Sequence, residues 1–269
     1  MKKTFMTIAT MVAAAMFVLA SCEKPDNGDN TGNGGLKDPT EQEGNNNQGG
    51  NENQGGNQGG NQGGATEELH ASLQGSEYVT IALDEYSTAA IQNKIKASYQ
   101  LDDTNVFLYV WENTYNAGTP SGLNFYGEAA GWSSLVVGSV GWSGCGWCVV
   151  NPASVPAFVE SAADFANWKF HIGYKGQANK AHIVILYWAG GEYKFAIGQG
   201  SMDDAGTTYT AIAPTSGTFQ PNVWNEYEIS LAETGIDFTQ PSSGNIAAIL
   251  SGGATGTTLD VDAIFFYKK

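Results

Sequence analysis

The sequence predicts an all-β protein: a jelly-roll β-sandwich carried behind an N-terminal leader and a disordered linker. Three observations lead there. Runs of β-branched and aromatic residues recur through 67–269, with Gly-, Asn- and Asp-rich turns between them. One of them, 226–231, alternates cleanly, with Tyr227, Ile229 and Leu231 on one face and Glu226, Glu228 and Ser230 on the other. Residues 23–66, by contrast, carry one apolar side chain larger than Ala or Pro, Leu36, and so have nothing to bury.

Taken in order, the expected strands are 77–83, 105–111, 135–139, 168–174, 182–188, 193–197, 226–231, 246–250 and 259–267. The stretch 175–181 reads as a hairpin loop and Ala189-Gly190-Gly191-Glu192 as a second turn. Two short helices are expected: 88–94 with Ser87 as N-cap, and one within 155–163 after Ser154, with Pro156 in its first turn. The runs 106–111 and 183–188 are apolar on both faces, whereas a sandwich strand need bury only its inner one. Val106, Leu108 and Val110 suit the core. Phe107, Tyr109 and Trp111 then face outward, either under a loop or as a ligand platform.

Ahead of the domain, Lys2 and Lys3 precede an apolar run of roughly 16 residues, short of the ~20 that span a membrane. This reads as an export signal over 1–21. Residues 22–66 form a linker in which Asn-Gln-Gly-Gly recurs four times, with an r.m.s. reach of about 35–40 Å. Leu19-Ala20-Ser21-Cys22 resembles the lipobox of bacterial lipoproteins. That resemblance implies cleavage before Cys22 and acylation of Cys22, hence a membrane anchor. Glu23, Asp26 and Asp29 resemble the acidic export tag of surface lipoproteins of Bacteroidota-type bacteria, although Lys24 and Pro25 interrupt it. The localisation implied is the outer membrane, facing the cell exterior.

The formal charge is -15 from 27 acids and 12 basic residues, and every basic residue is lysine. Without guanidinium there are no bidentate phosphate or carboxylate clamps, and an acidic chain of this kind is a poor nucleic-acid binder. The domain, 67–269, holds all seven Trp.

Sugar recognition needs flat aromatic faces flanked by hydrogen-bonding groups. The segment 126–148 offers Trp132, Trp142 and Trp147 among glycines, in what reads as loop. These three are the first-rank candidates for carbohydrate contact, and Trp111, Tyr115 and Tyr126 the second. Trp168 and Trp224 begin strands and read as structural. Cys145-Gly146-Trp147-Cys148 lacks the second ligand pair of a zinc site and the strand–helix context of a redox motif. In an exported protein it reads as a local disulfide bracing the Trp loop, with two reduced thiols as the alternative. Asp262 stands inside an apolar strand and needs a partner or a metal. His171 and His182 fall on the two strands of the expected hairpin.

The runs Trp224-Asn225-Glu226-Tyr227-Glu228-Ile229-Ser230-Leu231, Gly235-Ile236-Asp237-Phe238 and 259–267 resemble the end of galactose-binding-like jelly rolls, a fold many carbohydrate-binding modules share. The stretch 168–175 resembles their middle strand. The resemblance covers roughly the last 100 residues. It implies poly- or oligosaccharide as partner, and a structural calcium for which Asp262 and Glu77 are the candidate ligands. With the lipobox, the whole chain resembles surface lipoproteins of glycan-utilisation systems, which implies a possible complex with an outer-membrane transporter. The expected function is non-catalytic glycan capture, of a neutral rather than acidic glycan given the charge. The alternatives are a small jelly-roll glycoside hydrolase or polysaccharide lyase, which needs two carboxyls at a defined gap, and an adhesive or structural surface protein.

Overall fold

The computed structural model describes residues 68–269, apart from 103, 130, 139–141, 150–154, 179, 204–205, 243 and 253–254. The expected signal, linker and Cys22 lie outside the described residues. Among those described, the strands in chain order are β1 (Glu77–Ala82), β2 (Ile95–Ser98), β3 (Val106–Val110), β4 (Tyr115–Ala117), β5 (Ser133–Val137), β6 (Trp142–Val149) and β7 (Trp168–Gly176). They continue with β8 (Ala181–Trp188), β9 (Gly191–Gly198), β10 (Thr210–Ala211), β11 (Asn225–Ser230), β12 (Asn245–Gly252) and β13 (Thr258–Lys268).

They form two sheets, in agreement with the expected sandwich. The first runs β11-β7-β13-β1-β2, with β5 also on β13 and β4 on β5. The second runs β10-β9-β8-β12-β6-β3. Their inner faces meet in one core, to which Phe170, Ile172 and Phe266 of the first sheet and Val184, Trp147 and Ile249 of the second belong. No helix among the described residues is long and apolar enough to cross a membrane.

The strand β13 organises the first sheet, because β7, β1 and β5 all pair with it. Leu259 and Val261 point into the core, and so do Ile264 and Phe266. Odd positions give way to even ones because a bulge interrupts the register between Asp262 and Phe265. Side chains alternate strictly along a strand, so one inserted residue moves everything after it to the other face. Ala263 takes up the kink with φ of 52°.

Three expectations are corrected. The stretch 175–181 is no hairpin: β7 and β8 belong to different sheets, and the loop carries the chain across the sandwich. The first helix, α1 (Glu85–Ile91), starts earlier than expected, because Asp84, not Ser87, is its cap; Asp84 Oδ1 accepts from the Ser87 N–H at 2.8 Å. No α-helix forms over 155–163; a 3-10 segment follows instead at Ala162–Asn167, and Val155, Phe158 and Val159 are buried in the core.

The kink at Ala263 is testable. Left-handed backbone costs a non-glycine residue about 1–2 kcal/mol, and more where Cβ is branched. Ala263→Val is expected to lower stability by more than about 2 kcal/mol. Ala263→Gly is expected to be near neutral, since relief of strain offsets the buried methyl that is lost. Urea unfolding followed by tryptophan fluorescence reads both.

Candidate functional site

Trp132 lies in a loop just ahead of β5, but the stretch that carries Trp142 and Trp147 is a strand. Residues 142–149 form β6, a central strand between β12 and β3. Alternation then sorts its side chains. Cys145, Trp147 and Val149 face the core, while Trp142, Gly144, Gly146 and Cys148 face out.

The outer face of the second sheet is where aromatic residues gather. From β3 come Phe107 and Tyr109, opposite Cys148 and Gly146, and Trp111 follows directly after the strand. From β8 come Ile183, Ile185 and Tyr187, and from β12 Ala248 and Leu250. Trp111, Tyr109, Trp142 and Tyr187 are half-buried. Phe107, Tyr109 and Trp111 meet edge to face, with centroids 6.2 Å apart at both steps.

Two glycines make this face possible. A Cβ on Gly144 would lie 2.8 Å from Trp111 Cε3, Trp142 Cζ3 and Leu250 Cδ2. One on Gly146 would lie 2.9 Å from Trp111 Cη2 and 3.0 Å from Asn245 Oδ1. The Trp111 ring therefore lies against bare backbone, with Trp142 beside it, at a height no larger residue allows. Polar groups lie beyond Tyr187, two strands and more from the Trp pair. Lys194 and Glu192 on β9 pair at 2.8 Å, and the Tyr209 hydroxyl donates to Asp203 Oδ2 at 2.9 Å. Such a surface, aromatic along β3 and the start of β6, aliphatic across β12 and β8 and polar at β9, can take a flat, hydroxylated ligand.

Of the expected contact residues, Trp111 and Trp142 come together here, and the other four do not. Trp147 and Tyr115 are buried in the inter-sheet core. Trp132 is also buried, on the side of the first sheet, where it meets Trp224 edge-on at 6.5 Å. Lys175 Nζ stands over both rings, 5.0 Å from Trp224 and 5.9 Å from Trp132. Trp224 Nε1–H donates to Leu123 O at 2.8 Å, which agrees with a structural role. Tyr126 bonds Ser72 through its hydroxyl at 2.9 Å, again on the first sheet. Tyr187 was not among the candidates; its signal is the outward alternation Ile183, Ile185, Tyr187 in a run apolar on both faces.

The expected disulfide is not formed: Cys145 and Cys148 are both buried and not bonded to each other. Three positions apart on one strand, they point to opposite faces with Cα atoms about 10 Å apart, beyond the ~7 Å a disulfide spans. Cys148 Sγ–H donates to Asn245 Oδ1 at 2.6 Å, and burial pushes the Cys145 thiol up to about 12.

The expected calcium pair does not converge either. Glu77 lies opposite Lys268, six positions along β13 from Asp262, which places the two roughly 20 Å apart. Glu77 pairs with Lys96 at 3.2 Å instead. Asp262 is satisfied by backbone: Oδ2 accepts from the Phe125 N–H at 3.0 Å and Oδ1 from the Ala263 N–H at 2.6 Å. His171 and His182 do not meet. His182 turns inward, where Nδ1 bonds the Tyr174 hydroxyl at 2.7 Å and burial pushes its pKa down to about 3.

No protein-family model matches this sequence, and no curated protein does. Among solved structures, the chain is similar to a family 30 carbohydrate-binding module, at 16% identity over 60% of this chain and 87% of that one, with a TM-score of 0.36. It is also similar to the family 11 carbohydrate-binding module of the cellulosomal cellulase Lic26A-Cel5E of Clostridium thermocellum, at 12% identity over 61% and 88%, TM-score 0.33. A family 11 module from Clostridium thermocellum in complex with a β-1,3-1,4-mixed-linked tetrasaccharide matches at 12% identity over 62% and 94%, TM-score 0.33. At these values no residue-by-residue correspondence follows, and the site rests on its own side chains.

Asp262 gives the fold a pH signature. Burial pushes its carboxyl up from 3.8 to about 7; the Phe125 and Ala263 N–H groups pull it down and the Asp84 charge adds to the rise. Between those values the unfolded chain has ionised Asp262 while the folded chain keeps it protonated, so its contribution to stability is complete below about pH 3.8 and lost as pH approaches 7. Relative to Asp262→Asn, the wild type is expected to lose stability by up to about 1.4 kcal/mol per pH unit across that window. A pH-independent difference in urea-unfolding free energy would refute this.

Proposed function

We propose that this protein is a non-catalytic glycan-binding lipoprotein, anchored through Cys22 in the outer membrane and facing the cell exterior, that captures poly- or oligosaccharide on the outer face of its second sheet. One observation carries the reading: Trp111 lies over Gly144 and Gly146 with Trp142 beside it at Gly144, and Tyr109 and Tyr187 are half-buried on the same face. An outward sheet face is ordinarily polar where water covers it. An aromatic one floored with glycine suits the apolar faces of pyranose rings, and the polar groups at β9 suit their hydroxyls. The acidic charge and the absence of arginine favour a neutral glycan over a uronate or sulfate. The short apolar run before the lipobox-like Leu19-Ala20-Ser21-Cys22 supports the anchor, and the Gly-rich linker supplies reach beyond the membrane. An outer-membrane transporter is the partner to which captured glycan would pass.

Isothermal titration against a panel of neutral and acidic polysaccharides tests the binding. Wild type is expected to bind a neutral member, and Trp111→Ala and Trp142→Ala are each expected to weaken that binding by at least about tenfold, ~1.4 kcal/mol, with the fold intact by circular dichroism. No binding across the panel, or full binding by both variants, overturns the assignment. The anchor is tested separately by expressing Cys22→Ser in a bacterium that processes lipoproteins. The variant is expected to leave the membrane fraction, which the wild type occupies.

A further inference from the structure

On the outer face of the first sheet, away from the aromatic platform, β7 and β11 place one imidazole and two carboxylates together. Glu228 lies directly opposite His171, and Glu226 is its diagonal neighbour. A nitrogen of His171 and one oxygen from each of Glu226 and Glu228 all lie within 4.8 Å of one another. His70, in the segment that leads into the domain, adds a second imidazole, with Nδ1 3.9 Å from Glu226 Oε1; that nitrogen accepts from the Ser72 N–H at 3.3 Å, a long bond that an ion would replace.

The hydrogen bonds of His171 decide what this cluster is suited to. Its Nδ1 lies 2.6 Å from Ala263 O. A carbonyl only accepts, so Nδ1 carries the hydrogen, and that tautomer directs the lone pair of Nε2 at Glu226 Oε1, 2.9 Å away. Two lone-pair atoms at that distance need a cation between them. It is either a second proton on an imidazole with no solvent exposure, or a metal ion. A ring N–H held by a backbone carbonyl is the usual support of a metal-ligating histidine. The carboxylates are oriented in the same way. The Thr215 hydroxyl donates to Glu226 Oε2 at 2.6 Å, and Lys169 and the Tyr267 hydroxyl donate to Glu228. The ring itself is fixed by stacking on Phe265, with centroids 4.5 Å apart and 6° between planes.

We propose that His171 Nε2, Glu226 and Glu228, completed by His70, form a binding site for a borderline divalent cation of the zinc type. Imidazole nitrogen excludes calcium and magnesium as the preferred ion, since both favour all-oxygen shells. Tetrahedral bonds of 2.0–2.2 Å set ligand atoms about 3.3 Å apart, against 2.9 Å for His171 Nε2–Glu226 Oε1 and 3.9 Å for His70 Nδ1–Glu226 Oε1 here. Glu226 and Glu228 are 19% and 15% exposed, and His70 42%, which leaves a path from solvent. The bound ion would fasten the entering segment at His70 to the edge strand β11.

The test uses the full chain stripped with chelator. Titration calorimetry with zinc chloride is expected to show one site, and zinc is expected to raise the thermal midpoint by several degrees while calcium and magnesium do not. His70→Ala, at an exposed position, is expected to weaken zinc binding by at least about tenfold with the fold unchanged. His171→Asn is expected to abolish it; should that variant not fold, Glu226→Gln takes its place. No zinc binding by wild type, or equal binding by these variants, overturns the proposal and leaves a proton as the cation between His171 and Glu226.

Discussion

The bulge at Ala263 is the constraint on which the first sheet depends. Without it, β13 would carry Leu259 and Val261 into the inter-sheet core and then exchange the faces of Ile264 and Phe266 with those of Phe265 and Tyr267, which now fill a separate cluster on the outer side. The same insertion frees the Ala263 carbonyl to hold His171 and aims the Asp262 carboxyl at the Phe125 amide. One irregularity thus sets the parity of the central strand, the tautomer of a histidine and the seat of the segment that crosses the outer face.

In the second sheet the comparable constraint is a pair of missing side chains. Gly144 and Gly146 weaken β6 as an isolated strand, because glycine loses the most freedom on ordering and packs nothing. The deficit is made good by Trp111, which covers the backbone the glycines leave bare, and by the pairing of β6 on both edges with β12 and β3. The apolar outer surface of this sheet is therefore a by-product neither of core packing nor of chain connection. It is built from residues whose alternation, read along β3, β6 and β8, places them outward.

Much of the fold is legible in the sequence, and the failures have physical reasons. The alternation of β11 and the apolar density of β3, β7, β8 and β13 announce strands directly. The strand β6 is hidden because its glycines and cysteines mimic loop composition. Once it is seen as a strand, parity alone separates Trp147 from Trp142. The connection between β7 and β8 is misread because a short polar loop serves equally well within a sheet and between sheets. What decides is where the inner faces meet, and that is a property of the whole sandwich. The outward placement of Phe107, Tyr109 and Trp111 follows from period two, whereas the partnership of Trp111 with Trp142 depends on pairing between distant strands. The zinc-type cluster was half legible, as Glu226 and Glu228 share a face by alternation, but His171 joins them only through the register of β7 with β11.

Where the chain enters the domain also has a consequence. Residues 68–73 settle on the outer face of the first sheet, with His70 against Phe125 and Tyr126 and Ser72 bonded to Tyr126. The aromatic rings stand on the far side of the sandwich, with the thickness of two sheets between. The domain is therefore vectorial: one broad side receives its own chain and the other is turned away from it. Anything that pulls on the entering segment loads β1, into which it runs, and β13 beside it, so the rings on the second sheet lie outside the line of force and can stay in register while the domain is held under tension.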